Sequence, residues 1–249
     1  MKKLIVGNWK MNPQIMKEAE ILFKSINKIS KESKSAEVVI CPPFTFLSAH
    51  KTTKSKKIIL GAQDVSKEDQ GAFTGDVSAK MLSSIGVRSV IVGHSERRNG
   101  GDTNDIVNSK LVNSLKAKLM PILCVGESDR DHGGEYLAFI KTELVECLRN
   151  VSKPQMKNIA IAYEPIWAIG SGATREATSD EFIEVKIYIR KVISDIYDAK
   201  TAHNTRILYG GSVHPENSGE FLHHGGADGL LVGRDSLNAR KLELIIKSV

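Results

Sequence analysis

The sequence of 249 residues predicts an α/β protein with a single domain, a closed (β/α)₈ barrel over residues 1–249. Short apolar segments alternate with longer amphipathic ones along the whole chain, and no linker or low-complexity stretch separates them. The short segments are continuously apolar, which is typical of parallel strands buried on both faces. Eight such units, with no GxGxxG motif after the first, favour a barrel over an open doubly wound sheet.

The predicted strands share this continuous apolar character and lie, in chain order, at residues 4–7, 38–41, 58–62, 89–92, 121–125, 159–163, 206–209 and 229–232. Apolar residues at helical spacing predict helices around residues 15–29, 106–119 and 182–196. Thr178 with Glu181 offers a capping box at the start of the last of these, and Pro215 suits the first position of the next helix. Any helix near residues 51–57 is expected to be short.

Composition indicates an ordinary globular protein, with 41% hydrophobic and 26% charged residues. Three cysteines without CxxC spacing give no disulfide framework and no zinc signature, which fits a reducing cytosol. The apolar run after Met1 breaks at Asn8, too early for the core of a secretion signal, and no segment approaches the length of a membrane span. We therefore expect a cytoplasmic protein without a membrane partner.

The formal net charge is +6, and the densest basic cluster comprises Lys51, Lys54, Lys56 and Lys57. A nucleic-acid surface is one interpretation of this cluster. No aromatic residue interleaves with the lysines, however, so a solvated surface element is favoured and no nucleic-acid partner is expected. The positive balance would also attract a small anionic substrate.

The strongest catalytic candidate is Glu164, because chemistry in such barrels is placed at the carboxyl ends of the strands. Glu164 directly follows the sixth strand, and Pro165 ends that strand because proline cannot donate to the sheet. The loop behind it carries Trp167 and ends in glycine. An acid at a strand tip with an apolar loop behind it suggests a base in a site that closes against water. The alternative is an ion pair with Arg97.

His94 follows the fourth strand, and Lys10 follows the first. The run after His94 suits a short helical turn, whose N-terminus would disfavour an imidazolium and leave a neutral hydrogen-bond donor. Lys10 would place an ammonium beside the reacting oxygens. The alternatives are a histidine bonded to backbone at the rim and a solvated lysine.

Glycine-rich tips follow the seventh and eighth strands, at residues 209–213 and 231–235. Loops after these two strands commonly hold phosphate through backbone N–H groups, although ordinary turn glycines are the alternative. The sequence lacks a metal-ligating HxH pair at a strand end, an acidic cluster at a strand end and a lysine deep in a strand. No metal and no cofactor are therefore predicted.

With these residues in place, the chain closely resembles the triosephosphate isomerase family. Seven motifs occur in family order and extend over essentially the whole chain, namely residues 7–12, 71–75, 92–98, 124–127, 162–170, 209–213 and 229–233. The resemblance implies a cofactor-free isomerase of glycolysis and gluconeogenesis, which interconverts dihydroxyacetone phosphate and D-glyceraldehyde 3-phosphate. It implies Glu164 as the base, His94 as the group that polarises the carbonyl, and Lys10 as the group that stabilises the enediolate.

The resemblance also implies further site residues. Asn8 and Glu96 would support this centre, and the phosphate would be held by Gly170, Ser212, Gly233 and Arg234. A lid within residues 165–177 would centre on Pro165, Ile166, Trp167, Ala168, Ile169 and Gly170. Tyr209 and Ser212 would latch it, and Trp167 would move from a contact with Glu127.

A homodimer is implied as well, with an interface that includes Phe73, Thr74, Gly75, Asp76 and Arg97. The sequence departs from the family pattern at four places. Arg234 stands where a second glycine is common, Asp76 replaces a usual Glu, Asp64 replaces a common Asn, and the hinge at residues 172–178 is about two residues longer.

Two other functions remain open at this point. A barrel could hold phosphorylated trioses as a sensor without turning them over, although such a sensor would need neither the base nor the electrophile. A surface role through the basic cluster at residues 51–57 would show as salt-dependent binding to a polyanion, and it could coexist with catalysis.

Overall fold

The strands form one closed parallel sheet in the computed structural model, which describes residues 1–52, 57–131, 133–170, 173 and 175–249. In chain order they are β1 (Lys3–Asn8), β2 (Ala36–Cys41), β3 (Ile58–Ala62), β4 (Ser89–Val92), β5 (Met120–Val125), β6 (Ala160–Tyr163), β7 (Arg206–Tyr209) and β8 (Gly229–Val232). Each strand pairs with the next, and β1 also pairs with β8, from Leu4 opposite Gly229 to Gly7 opposite Val232. The predicted barrel and its eight strands are confirmed.

Helices follow the strands around the outside. The α-helices are α1 (Met16–Glu32), α2 (Ala79–Ser84), α3 (Ser95–Asn99), α4 (Asn104–Lys116), α5 (Glu135–Cys147), α6 (Ser179–Ile196), α7 (Ala199–Asn204), α8 (Pro215–His223) and α9 (Ala239–Lys247). Short 3₁₀ helices occupy Phe44–Thr52, Lys153–Asn158, Ile166–Ala168 and Arg234–Leu237. The described part of the connection between β2 and β3 is thus a 3₁₀ helix.

Two helices, α6 and α8, begin where the sequence predicted. The Thr178 hydroxyl accepts the N–H of Glu181 while the Glu181 carboxylate accepts the N–H of Thr178, and Pro215 opens α8. One boundary was wrong, since α4 ends before Leu119. Lys118 has φ of +61°, which turns the chain out of the helix toward β5.

Two apolar layers hold the barrel together. The interior is filled by strand side chains that alternate with outward-facing ones, namely Leu4, Val6, Val39, Cys41, Ile91, Ile122, Cys124, Ala160, Ala162, Leu208 and Leu231. The outward-facing strand residues pack against the helices in a second, larger layer. Because the interior is filled, a ligand has access only to the mouths of the barrel.

Some predictions concern surface chemistry. Lys54 and Lys56 of the basic cluster, and the side chain of Lys51, lie outside the described residues.

Within the described ranges, no helix combines the length and the apolar character needed to cross a membrane. The same ranges contain no group of three or more His, Cys, Asp or Glu side chains placed to hold a metal ion.

Candidate active site

A cavity of about 510 Å³ opens at the carboxyl ends of the strands. Its walls come from the segments that follow β1, β4, β6, β7 and β8. Nine of the predicted site residues line it: Asn8, Lys10, His94, Glu164, Ile169, Gly170, Ser212, Gly233 and Arg234. This volume falls in the range of about 300–1,000 Å³ that is usual for small-molecule sites.

Glu164 lies at the tip of β6 with its side chain only 3% exposed. One carboxylate oxygen, Oε2, accepts the backbone N–H of Ser95 at 2.9 Å, and the other, Oε1, lies 3.1 Å from Nε2 of His94. The alternative ion pair with Arg97 is wrong, because Nε of Arg97 is 2.9 Å from a carboxylate oxygen of Asp64. A buried carboxylate held by hydrogen bonds near an imidazole is available for proton transfer.

His94 caps the N-terminus of α3, and this position settles its tautomer. Its Nδ1 accepts the backbone N–H of Glu96 at 3.2 Å, so Nδ1 carries no proton. The proton of the neutral ring is then on Nε2, the nitrogen that faces Glu164. The alternative of a histidine bonded to backbone is correct for Nδ1 only. The hydrogen bond of Nδ1 to the backbone orients the ring so that Nε2 faces the Glu164 carboxylate.

Lys10 is held in a strained backbone conformation with φ of +53°. Its N–H donates to the side-chain oxygen of Asn8 at 3.0 Å, and its carbonyl accepts from Nε2 of Gln63 at 2.8 Å. Non-glycine residues in this region persist only when their surroundings enforce it, and they concentrate at functional sites. Nζ lies 2.5 Å from Oε1 of Glu96, which supports the lysine from outside the cavity lining.

The residues predicted to bind phosphate come from three separate segments. Ser212 follows β7, Gly233 and Arg234 follow β8, and Gly170 ends the lid, by which we mean residues 165–170. All four line the same cavity as the catalytic candidates. Gly233 directly precedes the 3₁₀ helix Arg234–Leu237, so backbone N–H groups are available at its start.

The lid is held by hydrogen bonds from both flanks. The indole N–H of Trp167 donates to Oε1 of Glu127 at 2.8 Å, and Tyr163 donates to the same oxygen at 2.8 Å. On the other flank, the hydroxyl of Ser212 donates to the carbonyl of Ala168 at 3.0 Å. Burial raises the pKa of Glu127, although hydrogen bonds including that of Trp167 oppose the rise.

Tyr209 is fully buried at the end of β7 and is not part of the cavity lining. Within the described ranges its hydroxyl has no hydrogen-bond partner. A buried phenol normally finds a partner, so this hydroxyl is an unused hydrogen-bonding group. The second hinge predicted at residues 172–178 falls partly outside the described residues, which omit 172 and 174.

The residues predicted to form a dimer interface lie away from this cavity. Phe73 is 45% exposed on a projecting loop whose residues 71–76 are all exposed. Gly75, Asp76 and Arg97 line a second depression of about 350 Å³ beside that loop. Asp76 accepts a hydrogen bond from the hydroxyl of Ser66 at 2.6 Å.

Four titratable groups of the cavity were missed by the sequence analysis, namely Glu176, His214, Asp235 and Lys241. His214 and Glu176 both line it, with Nε2 of the histidine 3.1 Å from a carboxylate oxygen of the glutamate. Partial burial opposes a charge on His214, but its hydrogen bonds to Glu176 and Glu216 raise its pKa above the ordinary value. The position of His214 directly before the helix-opening Pro215 was the available signal.

Comparison with known proteins gives one consistent result. A family model described as triosephosphate isomerase matches residues 3–249. Triosephosphate isomerase of Alkaliphilus metalliredigens is 45% identical over 243 residues, which cover 96% of each chain. The enzymes of Dictyoglomus thermophilum and Aquifex aeolicus are each 42% identical over 250 residues, covering 99% and 100% of both chains respectively. The chain therefore belongs to the triosephosphate isomerase family, and its activity is that of an isomerase acting on triose phosphates.

Proposed function

We propose that this isomerase interconverts dihydroxyacetone phosphate and D-glyceraldehyde 3-phosphate by moving one proton between C1 and C2 through an enediolate. Glu164 removes the proton and returns it to the neighbouring carbon. Neutral His94 donates from Nε2 to the carbonyl oxygen and shuttles protons between the two oxygens. The ammonium of Lys10 stabilises the negative charge that develops on them.

The observation that carries this proposal is the pairing of Nε2 of His94 with Oε1 of Glu164 at 3.1 Å in the cavity that Lys10 also lines. A base, a hydrogen-bond donor and a cation within one cavity are the groups that enolisation of a carbonyl requires. The Glu164 carboxylate is bonded to the N–H of Ser95. To reach a substrate, the Glu164 side chain rotates away from Ser95. It thereby gives up the hydrogen bond to the Ser95 N–H and can accept the proton that is bound to carbon.

Phosphate is anchored away from the reacting carbons by backbone N–H groups of Gly170, Ser212, Gly233 and Arg234. Anchoring through backbone supports the geometry needed for proton transfer, because oriented reactants lose little further entropy in the transition state. Three of these residues belong to loops after β7 and β8, where barrels commonly bind phosphate. Asn8, which holds the backbone of Lys10, keeps the ammonium in place.

The lid closes over the bound substrate and excludes water. Closure has a chemical reason, since an enediolate exposed to water tends to eliminate its phosphate. Exclusion of water also strengthens each charge contact to the intermediate. We propose that Trp167 leaves Glu127 during this movement, and that Tyr209 and Ser212 latch the closed lid.

The working form is a homodimer in the cytoplasm. An interface at the projecting loop would cover the exposed side chain of Phe73 and so remove apolar surface from water. Thr74, Gly75 and Asp76 share that loop, and Arg97 lines the depression beside it. The loop of one subunit would enter the other near its Asn8 and Lys10.

A coupled assay tests the activity. Purified chain is supplied with D-glyceraldehyde 3-phosphate, and dihydroxyacetone phosphate is reduced by an NADH-dependent glycerol-phosphate dehydrogenase. We expect turnover of about 1–10³ per second, the range of ordinary enzymes, and competitive inhibition by glycerol 3-phosphate. A sensor barrel would bind glycerol 3-phosphate, measured by calorimetry, without turnover. That outcome would replace catalysis by the binding function.

A further inference from the structure

Two buried charges behind the active site have no part in the mechanism above. The side chains of Arg98 and Glu143 are 15% and 3% exposed, with Nη1 of Arg98 3.2 Å from Oε1 of Glu143. Arg98 lies on α3, Glu143 lies on α5, and neither lines the cavity. An ion pair taken out of water adds little net stability compared with apolar packing, so stability alone is a weak reason for placing one here.

The arginine holds the backbone that carries the imidazole. Its Nε donates to the carbonyl of Gly93 at 2.8 Å, and Gly93 is joined directly to His94. Its Nη1 donates to the side-chain oxygen of Asn104 at 2.6 Å, which orients the guanidinium. Arg98 therefore fixes the backbone at the tip of β4. The residue that it holds, Gly93, directly precedes His94 and so sets the direction of the His94 side chain.

The glutamate holds the backbone that supports the base. Oε2 of Glu143 accepts the N–H of Gly126 at 2.8 Å, just beyond β5. Gly126 packs so closely on the tip of β6 that a Cβ atom built on it would lie 1.8 Å from the carbonyl oxygen of Glu164. The N–H of Glu164 in turn donates to Val125 at 2.8 Å. The Glu143 carboxylate thus fixes the surface against which the Glu164 backbone is seated.

We infer that Arg98 and Glu143 are positioning residues, which set the distance between the His94 imidazole and the Glu164 carboxylate through the tips of β4 and β5. This inference rests on the proposed function, since it assigns a second layer of support to that same pair. One carboxylate links both tips: it binds Arg98, which holds Gly93, and it binds the N–H of Gly126. Loss of the link lets the two catalytic groups move apart.

The barrel contains a matched pair for comparison. Asp228 pairs with Arg190 at 3.2 Å and accepts the N–H of Ile207 at 3.0 Å, so it too joins an arginine to the backbone of a strand. Ile207 lies near the start of β7, at the end of the barrel away from the catalytic groups. Asp228→Asn therefore reports what the loss of such a link does to the fold alone.

The experiment compares Glu143→Gln with Asp228→Asn and measures Tm, kcat, KM and the primary kinetic isotope effect with substrate deuterated at the transferred position. For Glu143→Gln we expect a loss of about 10–100-fold in kcat, since a displacement near 1 Å can cost about 10²-fold. KM should stay within about 3-fold, because other loops bind the phosphate. The isotope effect should rise, because proton transfer limits the rate more strongly. Asp228→Asn should lower Tm with kcat within about 3-fold.

Two further variants keep the test decisive. Arg98→Lys retains the charge but cannot reproduce the fork of contacts, so it should also lower kcat more than it raises KM. Glu143→Asp should restore part of the lost kcat. The inference would be overturned if both Glu143→Gln and Arg98→Lys kept kcat within 3-fold of the wild type. It would also be overturned if Glu143→Gln left the isotope effect unchanged and lost no more kcat than Asp228→Asn. A wild-type chain without turnover would instead contradict the proposed function.

Discussion

The two ends of the barrel are made from the same strands, but Glu164 at the carboxyl end has different partners from the acids at the amino end. At the amino end, acids have cationic partners: Asp228 pairs with Arg190 at 3.2 Å, and Glu37 pairs with Arg206 at 2.8 Å. At the carboxyl end, Glu96 is paired with Lys10, but the buried Glu164 has no lysine or arginine within ion-pair distance among the described residues. It accepts the backbone N–H of Ser95 and lies beside Nε2 of His94.

Left-handed backbone occurs at both ends, since Lys118 and Asn150 take it in the segments that lead into β5 and β6. Lys10 takes a left-handed conformation at the carboxyl end, and the buried hydroxyl of Tyr209 finds no partner in the described part of the chain. At the amino end, the backbone is closed by ordinary hydrogen bonds such as that from Leu4 to Asp228 at 3.0 Å. The difference is therefore specific to Glu164: the acids at the amino end have cationic partners, while this buried carboxylate has none and stays free to exchange its partner for a substrate.

Loss of the proposed base, Glu164, should have the strongest effect on turnover. Glu164→Gln keeps the size of the side chain and can still accept the Ser95 N–H, but its amide cannot take a proton from carbon. We expect kcat to fall by several orders of magnitude, measured in the coupled assay, with Tm within a few degrees of the wild type.

The control at the amino end is Glu37→Gln, which removes the charge of a half-exposed acid. It should leave kcat within about 2-fold, since exposed ion pairs contribute only about 0–1 kcal/mol. Near wild-type turnover in Glu164→Gln would remove Glu164 from the role of base. A large loss of kcat in Glu37→Gln would contradict the different roles that we assign to the two ends.

Two glycines, one at each end of the barrel, allow a test with an intermediate expected effect on turnover. A Cβ on Gly126 would lie 1.8 Å from the carbonyl oxygen of Glu164, and a Cβ on Gly229 would lie 2.0 Å from that of Leu4. Both Gly126→Ala and Gly229→Ala should lower the free energy of unfolding by about 1–3 kcal/mol, because the backbone must move away. Only Gly126→Ala should also reduce kcat of the folded enzyme, by about 10-fold or more.

Chemical denaturation gives the stability of the two glycine variants, and the coupled assay on fully folded samples gives their kcat. If Gly229→Ala lost as much turnover as Gly126→Ala, spacing at the carboxyl end would have no special importance. If neither variant were destabilised, the close approach of neighbouring strands would be tolerated without strain.

A change of little consequence is expected at Arg234, for which we propose a role of the backbone alone. Arg234→Gly should leave KM within about 3-fold, because the N–H proposed to bind the phosphate is retained. Arg234→Ala serves as the control, since it removes the guanidinium without adding the flexibility of glycine. A rise in KM of about 10-fold or more in both variants would show that the guanidinium itself binds the phosphate.

Sequence reasoning found the catalytic candidates because each sits at a local boundary. Glu164 follows an apolar run and precedes a proline, and His94 separates a strand from a polar turn. Such signals are read within about ten residues, and the barrel rule then brings distant ones to one mouth. The eight strands were predictable for the same reason, since each buried run is continuous in the chain.

What the sequence could not provide were contacts between distant elements. The N–H of Ser95 that holds Glu164, and the pairing of Arg97 with Asp64, join segments that no local pattern connects. One signal was available and missed. Glu143 lies on the buried stripe of α5 with Ile140 and Leu144, and an acid among apolar residues on a helix face needs a partner.

The order of the strands has a consequence during synthesis. β1 pairs with both β2 and β8, so the first strand lacks one neighbour until the last has left the ribosome. A nascent chain that has emerged as far as β7 therefore carries two open sheet edges, each able to pair with another polypeptide. Protection by chaperones matters most in that interval, and it is no longer needed once residues 229–232 complete the ring.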